Sequence, residues 1–330
     1  MIISRTPFRI SLFGGGSDYP KWFQNHGGSV LGFAINKYCY ISLRPLPPFF
    51  EHRHRLVYSR IENVSSIEEI QHPAVRAVLM DRKVEYGVEI HHDGDLPARS
   101  GLGSSSSFTV GLLNAVQAQS GRISSRRFLA SEAIRIEQQV IGENVGSQDQ
   151  VWAAYGGINR IDFQRDGTFA VEPLIIPSER QKLLLSHCLL FFTGLSRFAS
   201  EIAGKQIANM DQRESHLHKM VYLVSEAEQV IGSPWADITD IGELMHESWM
   251  LKRELADAVS PPEVDAIYEA GREAGAIGGK LLGAGGGGFF LFFVPPEKRQ
   301  AVRQRLSNLL EVGFDFDHSG SRIIVYEPEA

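Results

Sequence analysis

Small and hydroxyl-bearing residues crowd the turn from Leu96 to Phe108, where Arg99, Ser100, Gly101, Leu102 and Gly103 lead into Ser104, Ser105, Ser106 and Ser107. Gly101 and Gly103 let main-chain N–H groups come close to an anion. The run from Phe108 reads as a helix, whose N-terminus is the positive end of its dipole. Such a turn suits phosphate, with the serines as caps or as hydroxyl ligands of a bound cation. A Gly/Ser turn before a helix is also the ordinary form of a capped loop, so other segments have to decide. A Walker A loop does not occur: Gly279-Lys280-Leu281 and Gly204-Lys205-Gln206 lack the hydroxyl residue that would hold magnesium.

The segment from Arg5 ends in three successive glycines, Gly14, Gly15 and Gly16, followed by Ser17 and Asp18. The glycines let backbone approach a ligand, and Asp18 can accept hydrogen bonds from its hydroxyls. The alternative is a β-turn capped by Ser17 or Asp18. Glu137 near the end of one helical pattern and Asp149 at the start of the next flank a turn holding Gly142 and Gly146, so both carboxylates can face one pocket. That pairing suits one magnesium ligand and one proton acceptor, against the commoner role of such an aspartate as a helix cap. Between Lys280 and Gly288 the spacing G-x-G-x-x-G occurs at Gly283, Gly285 and Gly288, with Gly286 and Gly287 inside it. The apolar run Phe289 to Val294 reads as a strand where a dinucleotide fingerprint requires a helix, so that reading is rejected. The loop is expected to pack its backbone against phosphates or against the Gly101 turn.

These clusters need a scaffold of mixed type. Strand patterns cover 2–12, 28–35 and 38–44 around a short helix beyond Asp18, and 56–59 and 87–92 around a helix at 73–82. Helical patterns over 108–119, 124–141 and 147–155 precede strands at 157–163, 168–174 and 186–193. A helix-rich stretch from Ala199 to about Leu255, broken at Gly232-Ser233-Pro234, leads to a helix opening at Pro262. Strand 276–282, the glycine cluster, strand 289–294, a helix over 296–310 and a strand over 321–326 then form a β-loop-β-α-β module. Segregated strands and helices argue for an α+β architecture rather than a doubly wound sheet.

At 330 residues and 43% hydrophobic content the chain can build cores for roughly two domains. A net charge of −6 gives no electrostatic reason to expect nucleic acid or a membrane surface as partner. Cys39 and Cys188 each sit in an apolar run and read as buried thiols rather than as a disulfide or zinc site. His52, His54, His91 and His92 lack the spacing of a metal site. Neither a leader pattern nor an apolar run of about 18 residues occurs, so a cytoplasmic address is the default expectation.

In this order and placement, the segments Arg5 to Asp18, Leu96 to Ser107 and Lys280 to Gly288 resemble the three motifs of the GHMP kinase superfamily, and the likeness spans nearly the whole chain. It implies the α+β GHMP kinase fold, with an N-terminal ribosomal-S5-like domain over 1–185, a C-terminal ferredoxin-like domain over 186–330, and ATP and substrate in the cleft between them. By the motifs, Arg99 to Ser106 would wrap the ATP phosphates, Ser104 or Ser105 with Glu137 would hold Mg2+, and Asp149 would take the proton of the attacking hydroxyl. Arg9 matches an arginine found near the transferred phosphate in sugar-kinase members, and Asp18 with Gly15, Gly16 and Ser17 would grip the sugar. The implied mechanism is positioning plus charge stabilisation.

Galactokinases typically read Gly-Glu-His-Thr-Asp-Tyr in the first motif. Here Gly14-Gly15-Gly16-Ser17-Asp18-Tyr19 lacks the Glu and His side chains, which leaves space for a larger or differently substituted sugar. Together with Gln148-Asp149-Gln150 and Thr193-Gly194-Leu195-Ser196-Arg197, this motif most resembles the D-glycero-D-manno-heptose 7-phosphate kinases, which phosphorylate the anomeric hydroxyl. A sugar that already carries phosphate needs cations at its far end, and Lys21, Arg99 and Arg197 are the candidates, Arg197 foremost. The implied partners are ATP and a phosphorylated sugar, with a homodimer as the assembly held open. Another anomeric kinase, such as an L-fucose kinase, stays as the alternative. Outside the kinases stand a non-catalytic ATP and sugar sensor and an ATP-dependent decarboxylase.

Overall fold

The computed structural model describes residues 1–98, 100–195 and 199–328. The chain runs β1 (Ile2–Phe13), α1 (Pro20–His26), β2 (Gly28–Pro45), β3 (His54–Val57), β4 (Ile61–Val64), α2 (Pro73–Asp81), β5 (Val88–Gly94), α3 (Ser104–Gln119), α4 (Arg126–Arg135) and α5 (Gln148–Tyr155). Next come β6 (Ile158–Phe163), β7 (Phe169–Pro173), α6 (Ser178–His187) and β8 (Cys188–Phe192), then α7 (Ala199–Asn209), α8 (Glu214–Gly232), α9 (Asp240–Arg253) and α10 (Pro262–Glu273). Strands β9 (Gly278–Leu281) and β10 (Phe289–Phe293), helix α11 (Arg299–Arg305), and strands β11 (Leu310–Glu311) and β12 (Arg322–Tyr326) complete it.

Strand β2 is the hub of the first sheet. Its first half pairs with β6, its second half with β5, and β1 lies antiparallel along it, giving the order β12-β1-β2-β5-β3-β4 with β6 and β7 branching from β2. The sequence suggests two strands here, and their break survives as a bulge: Pro7 pairs with Tyr38 and Phe8 with Ile35, so Asn36 and Lys37 have no partner on β1. Pro7 has no N–H to give, and the ladder is interrupted where least is lost. A later segment fills the gap. Asn36 N donates to Asp315 O, Asp315 N donates to Asn36 Oδ1 at 2.8 Å, and Ile35 bridges Phe316.

That segment carries the chain back into the first sheet, where β12 pairs antiparallel with β1. The strand expected to close a β-loop-β-α-β module therefore belongs to the other sheet, and the boundary drawn over 186–330 fails for the last residues. The second sheet has the order β11-β8-β10-β9 and β-α-β-β-α-β connectivity, the ferredoxin-like arrangement. Its core is aromatic: Phe290 and Phe292 stack at 4.5 Å, with Trp249 and Tyr268 against them. The helix expected over 296–310 ends at Arg305, because Leu310 and Glu311 pair with β8. Helix α6, absent from the sequence reading, opens behind Pro177 and runs into β8. Strand β4, also missed, turns back on β3 as a short hairpin.

Helix α3 is buried on all faces from Ser106 to Ala118, lying on β1 and β2 with α4 and α5 packed against it. Burial all round explains the missing polar face of this helix. It starts at Ser104, one turn before the expected Phe108, because tertiary partners occupy hydroxyls that would otherwise compete with helix backbone. Ser107 Oγ donates to Pro7 O at 2.8 Å, and Ser106 Oγ to Glu137 Oε2 at 2.9 Å. Cys39 and Cys188 are buried free thiols. Among the described residues no helix is long and apolar enough to cross a membrane.

Candidate active site

The Gly101 turn and the third glycine cluster are one structure. Gly101 has φ +78°, and a Cβ there would lie 2.4 Å from Leu282 O; a Cβ on Gly283 would lie 2.6 Å from Gly101 Cα. Phe289 N donates to Ser100 O at 3.1 Å, so β10 begins by bonding the turn. Of the two roles expected for the cluster, bracing of the Gly101 turn is the one seen. Gly285 and Gly287 pack on Val259 and Leu195, and Gly286 N donates to Val259 O. Gly103, at φ 76°, is the N-cap of α3, which opens into a cleft lined by Gly101, Gly103, Ser104, Ser105 and Ser106. Two residues expected on the phosphates are turned away. Leu102 is fully buried, with its carbonyl accepting from Arg9 N at 3.0 Å, and Ser100 is buried under β10.

Arg9, on β1, reaches across the same cleft. Its Nε donates to Asp149 Oδ1 at 2.7 Å and its Nη2 to Oδ2 at 2.8 Å, while Nη1 donates to Gly101 O at 2.7 Å. The guanidinium joins β1 to the Gly101 turn by one bond and to the first turn of α5 by a bidentate pair. Asp149 keeps a quarter of its side chain exposed, whereas Arg9 is 4% exposed. The expected juxtaposition of these two residues is thus present.

Asp18 lies 1% exposed beside them, accepting from Gly16 N at 3.0 Å and Gln148 N at 3.4 Å. Burial lifts its carboxyl above the usual range; the Gly16 N–H opposes that shift and the nearby Asp149 charge adds to it. Gly15, Gly16 and Asp18 line the cleft. Ser17, expected to touch the substrate, instead staples the turn, with its hydroxyl between Gly14 O at 2.8 Å and Ser29 O at 2.9 Å. Gly146 is required behind Asp18, since a Cβ there would stand 1.9 Å from Oδ2.

Helix α4 continues into a π-helical turn, Ile136–Ile141, that points Glu137 inward. Its Oε2 accepts from Ser106 Oγ and Gln150 Nε2, while Oε1 is buried without a partner. Burial pushes this carboxyl up to about 7, against the hydrogen bonds of Gln150 and Ser106. An orphaned carboxylate oxygen behind a row of serine hydroxyls is a hard oxygen donor set that fits Mg2+. Ser106, beside the expected Ser104 and Ser105, donates directly to Glu137.

Two lysines complete the cleft. Lys252 of α9 and Lys280 of β9 are 4% and 2% exposed and line it together with Gly283 and Ala284. Lys252 Nζ donates to Gly283 O, and Lys280 Nζ to Leu12 O at 2.8 Å. Burial and the Arg9 charge bring Lys252 down to about 8; burial and then Lys252 hold Lys280 well below the usual range. Sequence reasoning gave neither a role. The signal for Lys252 is its place on the buried stripe Ile241, Met245, Ser248 and Trp249, where an apolar residue belongs. Of the cations that were expected, Lys21 is on the surface, paired with Asp211 at 2.9 Å, because Trp22 and Phe23 take the buried face of α1. Arg99 and Arg197 fall outside the described residues.

Residues 70–157 match the family described as GHMP kinases N terminal domain, and residues 226–312 the one described as GHMP kinases C terminal. The D-glycero-alpha-D-manno-heptose 7-phosphate kinase of Campylobacter jejuni is 29% identical over 294 residues, 86% of this chain and 86% of that one. The L-fucokinase/L-fucose-1-P guanylyltransferase of Bacteroides fragilis is 26% identical over 326 residues, 86% of this chain and 34% of that larger protein. A crystal structure of a D-glycero-D-manno-heptose 1-phosphate kinase from Bacteriodes thetaiotaomicron shares the fold, with a TM-score of 0.80 at 23% identity over 99% of this chain and 100% of that one.

Proposed function

We propose, given that this chain belongs to the GHMP kinase family and is an ATP-dependent sugar kinase, that it transfers the γ-phosphate of ATP to the anomeric hydroxyl of D-glycero-D-manno-heptose 7-phosphate. The products are the 1,7-bisphosphate and ADP. The observation that carries the reading is the Arg9–Asp149 fork, facing the same cleft as Asp18 and the N-terminus of α3. The likeness to the Campylobacter heptose 7-phosphate kinase supports the acceptor, as does a Gly14–Gly16 turn that brings no side chain of its own beside Asp18.

In this reading the first-turn N–H groups of α3 and the Gly101–Gly103 backbone bind the phosphates. Ser104, Ser105, Ser106 and Glu137 would hold magnesium, which when bound neutralises phosphate oxygens. Asp18 holds a sugar hydroxyl. Asp149 accepts the proton as the acceptor oxygen bonds to the γ-phosphorus and the bond to the ADP oxygen breaks. Arg9 fixes both oxygens of Asp149 in one orientation and presents positive charge to the transferred group.

A second reading, a neutral-sugar 1-kinase, is favoured by the likeness to an L-fucokinase and by the placement of Lys21 away from the cleft. The test is ATP consumption, with the product identified by mass and phosphorus NMR, across the heptose 7-phosphate, mannose, L-fucose, galactose and mevalonate. A 1,7-bisphosphate formed from the heptose alone supports the proposal, and turnover of a neutral sugar instead overturns the acceptor.

A further inference from the structure

A lysine on the buried stripe of a helix is out of place unless something answers its charge. Lys252 lies under the cleft with one visible acceptor, Gly283 O, for its three N–H donors, and among the described residues no carboxylate stands within ion-pair distance of it. A methionine would fill the same volume, whereas a buried ammonium carries a desolvation penalty of several kcal/mol. The charged groups around it are Arg9 on β1, Asp18 in the first glycine turn, Asp149 on α5 and Lys280 on β9. Two of the three N–H donors of Lys252 meet no acceptor among the described residues, and the oxygens of an incoming phosphate would take them.

We infer that Lys252 is a catalytic residue whose ammonium binds the phosphoryl group in transit, and that Lys280 is a positioning residue that ties β9 to the end of β1. The location favours the transferred group over a phosphate at the far end of the sugar. Lys252 is bonded to Gly283, Gly283 abuts the Gly101 turn, and Arg9 bonds both that turn and Asp149. Lys280 spends its visible bond on Leu12 O, just ahead of the Gly14 turn, and so sets the distance between the two halves of the cleft. The inference rests on the phosphate-binding role proposed for the Gly101 turn and not on which sugar is the acceptor.

Calorimetry without sugar tests it, using Mg2+ with β,γ-imido-ATP and Mg2+ with ADP as the two probes, on wild type, Lys252→Met and Lys252→Arg. The expected result in Lys252→Met is a loss of imido-ATP affinity of about 10- to 100-fold with ADP affinity unchanged, and in turnover a kcat loss of about 10²- to 10³-fold. Lys252→Arg should restore most of both. It should also abolish the fall in rate as pH rises through about 8, since the lysine loses its charge there and arginine does not. Equal imido-ATP affinity in Lys252→Met and wild type overturns the inference. So does a loss confined to a phosphorylated sugar, which would make Lys252 a reader of the acceptor and leave the proposed reaction standing. If Lys252→Met does not fold, the pH profile of Lys252→Arg decides, and a high-pH limb identical to wild type refutes the assignment.

Discussion

Gly146→Ala is a one-methyl probe of what Asp18 does. Gly146 does not sit at positive φ, so its backbone accepts alanine, but the new methyl would stand 1.9 Å from Asp18 Oδ2. Ordinary contact begins near 3.4 Å, so the carboxylate has to retreat by roughly 1.5 Å, giving up bonds from Gly16 N and Gln148 N. A misplacement of about 1 Å at a reacting centre costs on the order of 10²-fold in rate. The expected outcome is therefore a fall of about 10²-fold in kcat/KM for the sugar. ATP affinity should hold, because the Gly101 turn is untouched. Stability should drop by about 1–3 kcal/mol from the displaced buried carboxylate. Gly232→Ala, where the methyl meets nothing within 4 Å, is the matched control. Steady-state titration of each substrate, calorimetry of ATP binding and thermal melts separate these terms. A sugar kcat/KM within about threefold of wild type would refute the claim that the Asp18 carboxylate grips the sugar.

Asp149→Asn should lower kcat by about 10²- to 10⁴-fold while ATP still binds by calorimetry, and near-normal turnover removes Asp149 as the base. Glu137 predicts a pH dependence of stability in magnesium-free buffer. Its carboxyl titrates at about 7 in the fold against the usual 4.5, so its neutral form is the favoured one. Stability is full below about 4.5 and declines as pH rises through about 7, by an amount on the order of 3 kcal/mol. Glu137→Gln should melt like wild type at the acid end and increasingly above it towards pH 8. A melting difference that stays constant across that window would show that burial does not hold this carboxyl neutral.

Asp18, Glu137, Asp149 and the serine run were legible because each lies near the end of an element beside a glycine-bearing turn, whereas Arg9, inside β1, was legible only by its match to the family motif. Lys252 was not legible in the same way. It sits inside a long helix, and only the phase of Ile241, Met245 and Trp249 reveals that it points inward. Ser17 misled because a hydroxyl directly after a glycine turn can serve the turn or a ligand, and the carbonyls that claim it come from Gly14 and from Ser29 on β2. For the fold, alternation found most strands, but alternation does not say which sheet edge a strand joins. Arg322 to Tyr326 reads equally well as a neighbour of β9 or of β1, and the pairing is decided by the Asn36 bulge and the Asp315 segment docked on it. Helix α6 was lost because its leucines, Leu183 to Leu185, stand consecutively and show no helical spacing ahead of the strand expected over 186–193.

The return of β12 to β1 sets a schedule for synthesis. Strand β1 is made long before β12, and its Ile2 to Arg5 edge stays open until Arg322 to Tyr326 follow. At about 5–20 residues per second that wait is on the order of 15–60 s. During this interval the first segment of β1, Ile2 to Arg5, is held on one edge by β2 alone, and its open edge can recruit a neighbouring polypeptide. The α1–β2 hairpin partner covers only the other side. The first sheet is therefore opened by β1 and sealed only by β12, and its vulnerability to misassembly on polysomes follows from strand order alone.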